Sequence, residues 1–316
     1  MMQTTSKRRL TSLAAGGGAL ALATVLLTQT TATAAPAGLA ERIVYTHWTP
    51  ANAIEDIASI RPVGTGETYL TSSPAVSDRD PAWNAAGTKI AFHRSDGAGT
   101  ISGIWTMNAD GTGLAMVPNT DDGFSAAWSP GGDQLAFVCP APGDTEICTI
   151  NVDGTGLTQL TSTSDSESAP AWSPDGSEIA FGRTPVAGDR QHLVAVDPAT
   201  LSERTITPSV AGQHDGSPDW RPDGSKLTFS RFVTGSRAGG AIYVVDADGS
   251  TPGLVAAPAA GSDTHYITPA WSPGGKRIAF AHVDDDLAFG HIYTVRPNGS
   301  DLHQVTSGAR TDLDPS

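Results

Sequence analysis

Apolar residues in this chain come in short bursts rather than in helical stripes. Over 177–208 the segments "SEIAFGR", "QHLVAVDP" and "SERTITP" each hold a few apolar or β-branched positions closed by Gly, Pro or Asp. The next copy reads "SKLTFSR", "AIYVVDADG" and "GLVAAP". Short runs rich in Val, Ile, Phe and Tyr between turn residues predict strands. Asp-Gly pairs at 110–111, 153–154, 175–176, 223–224 and 248–249 fall between these runs. Both residues tolerate the left-handed backbone that tight hairpins need, so the predicted strands are antiparallel neighbours.

The pattern repeats. "PAWNAAGTKIAF" at 81–92, "PAWSPDGSEIAF" at 170–181 and "PAWSPGGKRIAF" at 269–280 are near copies of one string. Aligned on Trp83, Trp128, Trp172, Trp220 and Trp271, the units are spaced by 45, 44, 48 and 51 residues. Four antiparallel strands in a unit of this length form the blade of a β-propeller. One blade cannot bury both its faces; stacking blades in a closed ring does so and removes most exposed edges.

Five Trp-marked units cover 78–308, and the two ends supply a sixth. "ERIVYTH" (41–47) matches a second strand, "EDIASIRPVG" (55–64) a third and "ETYLTSS" (67–73) a fourth. The missing first strand is expected from "DLDPS" (312–316), which matches the approach "DRDPAW" (78–83). The fold class is therefore all-β, a six-bladed β-propeller of four-stranded antiparallel blades closed by the N- and C-terminal segments. Expected blades are 36–77 plus 311–316, 78–121, 122–166, 167–213, 214–264 and 265–310.

Composition agrees: 35 Gly, 22 Pro and 16% charged residues argue against long helices. The first 35 residues differ from the rest. Lys7, Arg8 and Arg9 precede the apolar run 13–27 and the small-residue stretch "TATAAPA" at 31–37. This is the pattern of a secretory signal peptide, cleaved after Ala34 or Ala35. Arg8–Arg9 fits twin-arginine export, whereas Thr11 and Ser12 stand where that signal wants apolar residues. Gly16–Gly17–Gly18 interrupts the run, so no membrane span is expected in the mature chain. No Cys follows the run, so no lipid anchor is expected. The predicted location is secreted or in the cell envelope.

The formal net charge is −14, and the leader's three basic residues are not part of the mature chain. Such a surface repels nucleic acid and anionic membrane. A monomer is expected. The two cysteines, Cys139 and Cys148, are expected to pair in an oxidising compartment. The expected register sets Cys139 opposite Cys148 and Phe137 opposite Ile150.

"SPDGSEIAF" and "IYVVDADG", followed by an "LT" pair such as 160–161, resemble the TolB-like, WD-repeat-like β-propeller family over 41–316. The resemblance implies a propeller without the α/β domain that precedes it in TolB. Prolyl-oligopeptidase-type enzymes add a hydrolase domain after a similar propeller; here no G-x-S-x-G elbow occurs. TolB-type propellers act mainly through protein contacts. The resemblance thus implies an interaction module for a protein, peptide or cell-envelope ligand.

Calling the strands of a blade A to D, the A–B turns are uniform ("SPDG", "SPGG", "RPDG", "NAAG"). The B–C and D–A connections vary and should share the opposite face, where binding is expected. Two residues after the strand-B aromatic a register position reads His47, Arg94, Cys139, Arg183, Arg231 and His282. His47, Arg94, Arg183, Arg231 and His282 are the candidate ligand-binding set, an anion or carboxylate site. In the alternative, each Arg pairs with an acid such as Asp96, Asp215 or Glu167 and locks neighbouring blades.

Acid clusters Asp121–Asp122, Asp165 with Glu167, and Asp284–Asp285–Asp286 make Ca²⁺ conceivable, yet none forms the EF-hand loop. No other cofactor and no metal ligand is expected. His47, His93, His214, His265, His282 and His291 reach this face without any H-E-x-x-H spacing. Trp48, Phe124, His265, Tyr266 and Phe289 are aromatic candidates for ligand stacking. The five repeat Trps read as core. The Asn298–Gly299–Ser300 sequon reads as a plain turn. No catalytic residue is assigned. The rival readings are a glycan hydrolase, lyase or lactonase with a site at the channel mouth, and an accessory domain acting with a separate catalytic chain.

Overall fold

The computed structural model describes residues 42–48, 54–186, 190–234, 239–284 and 289–316. The leader read over 1–35, and Asp285 and Asp286, lie outside them. Among the described residues every regular element is a strand. Blade 1 combines strand A at Thr311–Leu313 with Ile43–Trp48, Glu55–Ile60 and Thr68–Tyr69 as B, C and D. Blade 2 runs Ser77–Trp83, Lys89–Ser95, Ser102–Asn108 and Ala115–Met116, and blade 3 Phe124–Trp128, Gln134–Ala141, Asp144–Asn151 and Thr158–Gln159. Blade 4 runs Ser166–Trp172, Ile179–Thr184, His192–Val196 and Glu203–Thr205. Blade 5 runs Gln213–Trp220, Lys226–Val233, Ala241–Asp246 and Gly253–Ala256, and blade 6 Thr264–Trp271, Ile278–Asp284, Gly290–Val295 and His303–Gln304.

The ring closes as the repeat pattern predicts. Thr46, His47 and Trp48 pair antiparallel with Leu313, Asp312 and Thr311. Val44 and Ser316 then exchange both backbone hydrogen bonds, at 3.1 and 2.9 Å. The Ser316 hydroxyl accepts from the Trp83 amide of blade 2 (3.1 Å). A single parallel pairing, Gly290 with Thr311, joins blade 1 to blade 6.

The core lies between blades. Each of six apolar clusters draws on two adjacent blades: Val44 and Ile57 of blade 1 meet Ile90, Phe92 and Met107 of blade 2. Ile43 and Tyr45 meet Ala281, Val283 and Ile292 of blade 6, which completes the circle. One aromatic per strand B anchors this core: Tyr45, Phe92, Phe137, Phe181, Phe229 and Phe280 are all fully buried. Each stabilises the ring by roughly 1.5–3 kcal/mol. Of the repeat Trps, Trp128, Trp220 and Trp271 are buried and Trp83 and Trp172 half-buried. The indole N–H groups of Trp83 and Trp128 reach back to the preceding blade, donating to the carbonyls of Arg42 (3.2 Å) and Ala82 (3.1 Å).

Two repeated devices were not evident from the apolar pattern. Every strand A, or the residue just after it in blade 1, carries one residue in the left-handed region: Asp80, Ser125, Ala169, Ser217, Thr268 and Asp314, with φ from 48° to 54°. In blades 2 to 6 the pairing register shifts there, the mark of a β-bulge. In five blades the next residue is Pro, which disfavours right-handed helical backbone before it. The second device is a Thr shortly after strand D, the Thr of an "LT" pair in blades 1 and 3. Thr71, Thr120, Thr161, Thr207 and Thr306 each accept a strand-C amide, those of Ile57, Ile104, Ile147, Leu193 and Ile292, at 2.9–3.1 Å. This satisfies a buried donor where the short strand D ends.

The cysteines pair, but not in the expected register. Cys148 lies opposite Phe137, and Cys139 opposite Glu146. The turn is only Pro142–Gly143, with Gly143 at φ 101°, which shifts the hairpin by two residues. The disulfide therefore runs diagonally, with a Cα–Cα distance of 5.8 Å. Closing so short a loop stabilises by about 2–3 kcal/mol. A Cys139→Ala/Cys148→Ala protein should lose about that much in urea unfolding, and the native protein should show no reactive thiol before reduction. An unchanged midpoint, or two titratable thiols, would contradict this.

Candidate functional site

Antiparallel pairing A–B–C–D puts the A–B and C–D turns at one end of each blade and the B–C and D–A connections at the other. The five candidate side chains stand near this second end, where each belongs to a row that crosses its own blade. In blade 2, Asp78 on strand A lies opposite Arg94 on strand B and takes its guanidinium through two hydrogen bonds of 2.6 and 2.7 Å. Arg94 then covers the Trp105 ring of strand C, 4.9 Å from its centre. Blade 5 repeats the row: Asp215 binds Arg231 at 2.6 and 2.7 Å, and Arg231 covers Tyr243 at 5.0 Å.

The other blades vary the theme. In blade 4 Arg183 binds Glu167 (2.7 Å) and reaches outward to Glu203 at 2.7 and 2.9 Å. In blade 1 His47 Nδ1 is 2.8 Å from Asp312, and Nε2 is 3.2 Å from the Tyr69 hydroxyl. Arg310 adds contacts to Asp312 (2.9 Å) and Glu67 (2.7 Å), and the Tyr45 hydroxyl donates to Glu67. In blade 6 the row is aromatic: His282 meets Tyr266 and Tyr293 edge-on, at 4.9 and 5.3 Å. Burial lowers the pKa of His282, with the cross-strand neighbour His291 adding to it. In blade 3 the disulfide takes the diagonal that Arg94–Trp105 takes in blade 2. Gly123 precedes it, where a Cβ would fall 2.7 Å from the Phe137 ring.

Each candidate residue thus belongs to a row within its own blade. Arg94, Arg183 and Arg231 have side chains only 10–12% exposed, and each carries its own carboxylate. The expected pairing of Arg with acid is present for Asp215 and Glu167. It differs in two respects. Arg94 takes Asp78, while Asp96 accepts the amides of Ala98 and Thr100 in its own loop. The pairs also stitch strand A to strand B within one blade rather than linking neighbouring blades. The acid position was legible three residues before the strand-A proline, as in "DRDP", "ESAP", "DGSP" and "DLDP".

Blades 3 and 4 together hold a carboxyl pair of which the sequence reading missed one member, Glu146 on strand C of blade 3. Glu146 and Glu167 are both buried, and their Oε2 atoms accept no N–H or O–H of the protein. The Glu146 carboxyl neighbours that of Glu167, and this favours the protonated form of Glu167. Burial pushes Glu167 up to about 7; the contact with Glu146 adds to this and Arg183 opposes it. Asp219 is also pushed up to about 7 by burial, although it accepts the Trp271 amide of blade 6 (2.6 Å).

Among the described residues no three His, Cys, Asp or Glu side chains converge on one point. Asp165 accepts the Val186 amide (3.1 Å) and Asp284 the Phe289 amide (3.3 Å). Asp121 and Asp122 are exposed. Of the aromatic candidates, Tyr266 is buried, Phe124 packs on a core cluster, Trp48 is half-buried and His265 packs on Phe232. Phe289 alone of these is exposed, at 52%; Val186 and Val233 are exposed with it. Phe289 and Val186 lie in the B–C connections of blades 6 and 4, and Val233 ends strand B of blade 5.

A family model of the TolB beta propeller domain matches residues 44–209, more than half of the chain. The chain belongs to this family. No curated protein sequence matches it. Among solved structures, TolB from Acinetobacter baumannii is similar at a TM-score of 0.74 and 18% identity, over 89% of this chain and 67% of that one. The nidogen/laminin complex is similar at 0.62 and 10% identity, over 83% and 91%. An oligogalacturonate lyase in complex with manganese is similar at 0.52 and 15% identity, over 84% and 73%. At these identities the likeness shows the fold alone.

Arg231→Leu should destabilise by roughly 3–5 kcal/mol, because Asp215 is left buried without its cation. The double variant Arg231→Leu/Asp215→Leu should recover most of that loss in chemical unfolding. A single variant as stable as the native protein would contradict the assignment.

Glu167 has a raised pKa in the folded state, so its contribution is fully present below its unfolded value near 4.5 and is lost as pH rises through about 7. Asp219 acts in the same direction. The melting temperature should therefore fall between pH 5 and pH 8. Glu146→Gln removes the neighbouring carboxyl that raises Glu167 and should flatten part of that fall; an equally steep fall in the variant would refute that contribution.

Proposed function

We propose that the chain is an exported interaction module that binds a protein, peptide or envelope ligand through the variable connections at one end of its blades. One observation carries this reading. Val186 and Phe289, in the B–C connections of blades 4 and 6, and Val233, at the end of strand B of blade 5, expose apolar side chains on three successive blades. Apolar side chains are also exposed at the uniform C–D turns of the other end, at Val63, Leu114, Val152, Leu157, Leu201 and Leu302, but Val186, Val233 and Phe289 stand at or beside the variable connections, where binding is expected on a rigid scaffold. The charged residues beneath are spent on in-blade rows, so they act as scaffold for the connections. Export is supported by the leader pattern and by the disulfide.

The test is capture from an envelope fraction of the source organism, using the native protein and a Val186→Asp/Val233→Asp/Phe289→Asp variant with unchanged melting. The variant should lose the partner. Equal capture would place the interface elsewhere.

A further inference from the structure

The opposite end of the ring is tiled by the A–B turns, and one seam in that tiling is open. The test is what a carbon placed on each turn glycine would touch. On Gly132 of blade 3 it would lie 3.7 Å from Asn84 of blade 2, and on Gly176 of blade 4 it would lie 3.9 Å from Pro130 of blade 3. On Gly275 of blade 6 it would lie 3.1 Å from Arg221 of blade 5. On Gly224 of blade 5 it would meet nothing within 4 Å. A cleft separates the turn of blade 4 from that of blade 5.

The gap is a cleft of about 430 Å³, within the size range of ligand sites. Pro174 and Pro222 give it apolar walls, and Trp220 also lines it. Trp220 is only 6% exposed, and its indole N–H has no acceptor in the protein. The indoles of Trp172 and Trp271 share that lack, but of the three only Trp220 lines this cleft. The N–H itself is closed to solvent, so Trp220 serves as a wall of the cleft rather than as a donor to its contents.

The charges in the cleft are unequal. Arg204 is bound to Glu178 by two hydrogen bonds of 2.7 and 2.6 Å, and Arg221 stands 3.0 Å from Asp223. Asp175 has no cation. Its Oδ1 accepts from the Ser173 hydroxyl and from the amide and hydroxyl of Ser177, at 2.7, 3.1 and 2.8 Å. Its Oδ2 accepts from no described residue.

We propose that this cleft between blades 4 and 5 binds a lysine- or arginine-bearing peptide segment. The cation pairs with Asp175, and the aliphatic stem lies between Pro174 and Pro222 against the Trp220 side chain. The hydrogen bonds on Asp175 lower its pKa and keep it ionised at neutral pH, and the net charge of −14 favours a basic partner. This site lies at the other end of the blades from the proposed loop surface and is independent of it.

The experiment follows the Trp220 indole N–H by NMR, assigned by its loss in Trp220→Phe. The probes are the blocked tripeptides acetyl-Ala-Lys-Ala-amide and acetyl-Ala-Glu-Ala-amide, with maltose as a neutral control. The lysine peptide should shift this signal saturably. Asp175→Asn keeps the turn acceptor, so it should fold normally and weaken binding about tenfold or more. The Val186→Asp/Val233→Asp/Phe289→Asp variant should bind the peptide as the native protein does. The proposal is overturned if the lysine peptide leaves the signal unmoved or if the glutamate peptide or maltose shifts it equally. Undiminished binding by Asp175→Asn overturns it as well.

Discussion

The structure depends on one constraint: a four-stranded blade has two apolar faces and can hide them only against other blades. The strand-B aromatics show how strictly it is met. All six are fully buried, and each sits in or beside a cluster shared by two blades. Five seams would leave two apolar faces wet. The short strand Thr311–Leu313 and the Val44–Ser316 exchange supply the sixth. Area-proportional burial drives every seam, so closure contributes on the scale of a whole blade interface.

Most of this was legible in the sequence because repetition amplifies weak signals. A single "IAF" run says little; three of them, with "LAF" and "LTF" as two more of the same type, in step with a Trp and a Gly-rich turn leave few folds that fit. Even the closing segment was legible, since "DLDPS" copies the approach to Trp83. The hairpin of the two cysteines was less so, because its register depends on turn length. Pro142–Gly143 closed it two residues earlier than the pairing of cysteines suggested. The left-handed residues of the inner strands were invisible to an apolar pattern, being backbone choices made by Asp, Ser, Ala and Thr alike.

The candidate site was legible by position and not by role. The register of His47, Arg94, Arg183, Arg231 and His282 is a true structural equivalence, and sequence spacing found it. Whether such residues converge or turn inward depends on what faces them. Asp78, Glu167, Asp215 and Asp312 on strand A face four of the five and hold them within their blades. Blade 3, with Gly123 in the acid position, has a disulfide where the cation would be. Charge pairing and covalent bonding thus alternate as solutions to one problem, the anchoring of strand B to its neighbours beyond the last core residue.

The rows and the core also divide cohesion by direction. Hydrogen-bonded ion pairs are directional and run across the strands of one blade. Contacts between blades are chiefly apolar, and apolar contact tolerates small changes of angle. The soft coordinate of this ring is therefore the tilt of one rigid leaf against the next. The seam between blades 4 and 5, where a cleft separates the two turns, is the place where such a tilt meets least resistance at that end. A partner that wedges or draws together two leaves at one end would change the spacing of the same leaves at the other. The molecule is in that sense a lever with its fulcrum in the aromatic ring.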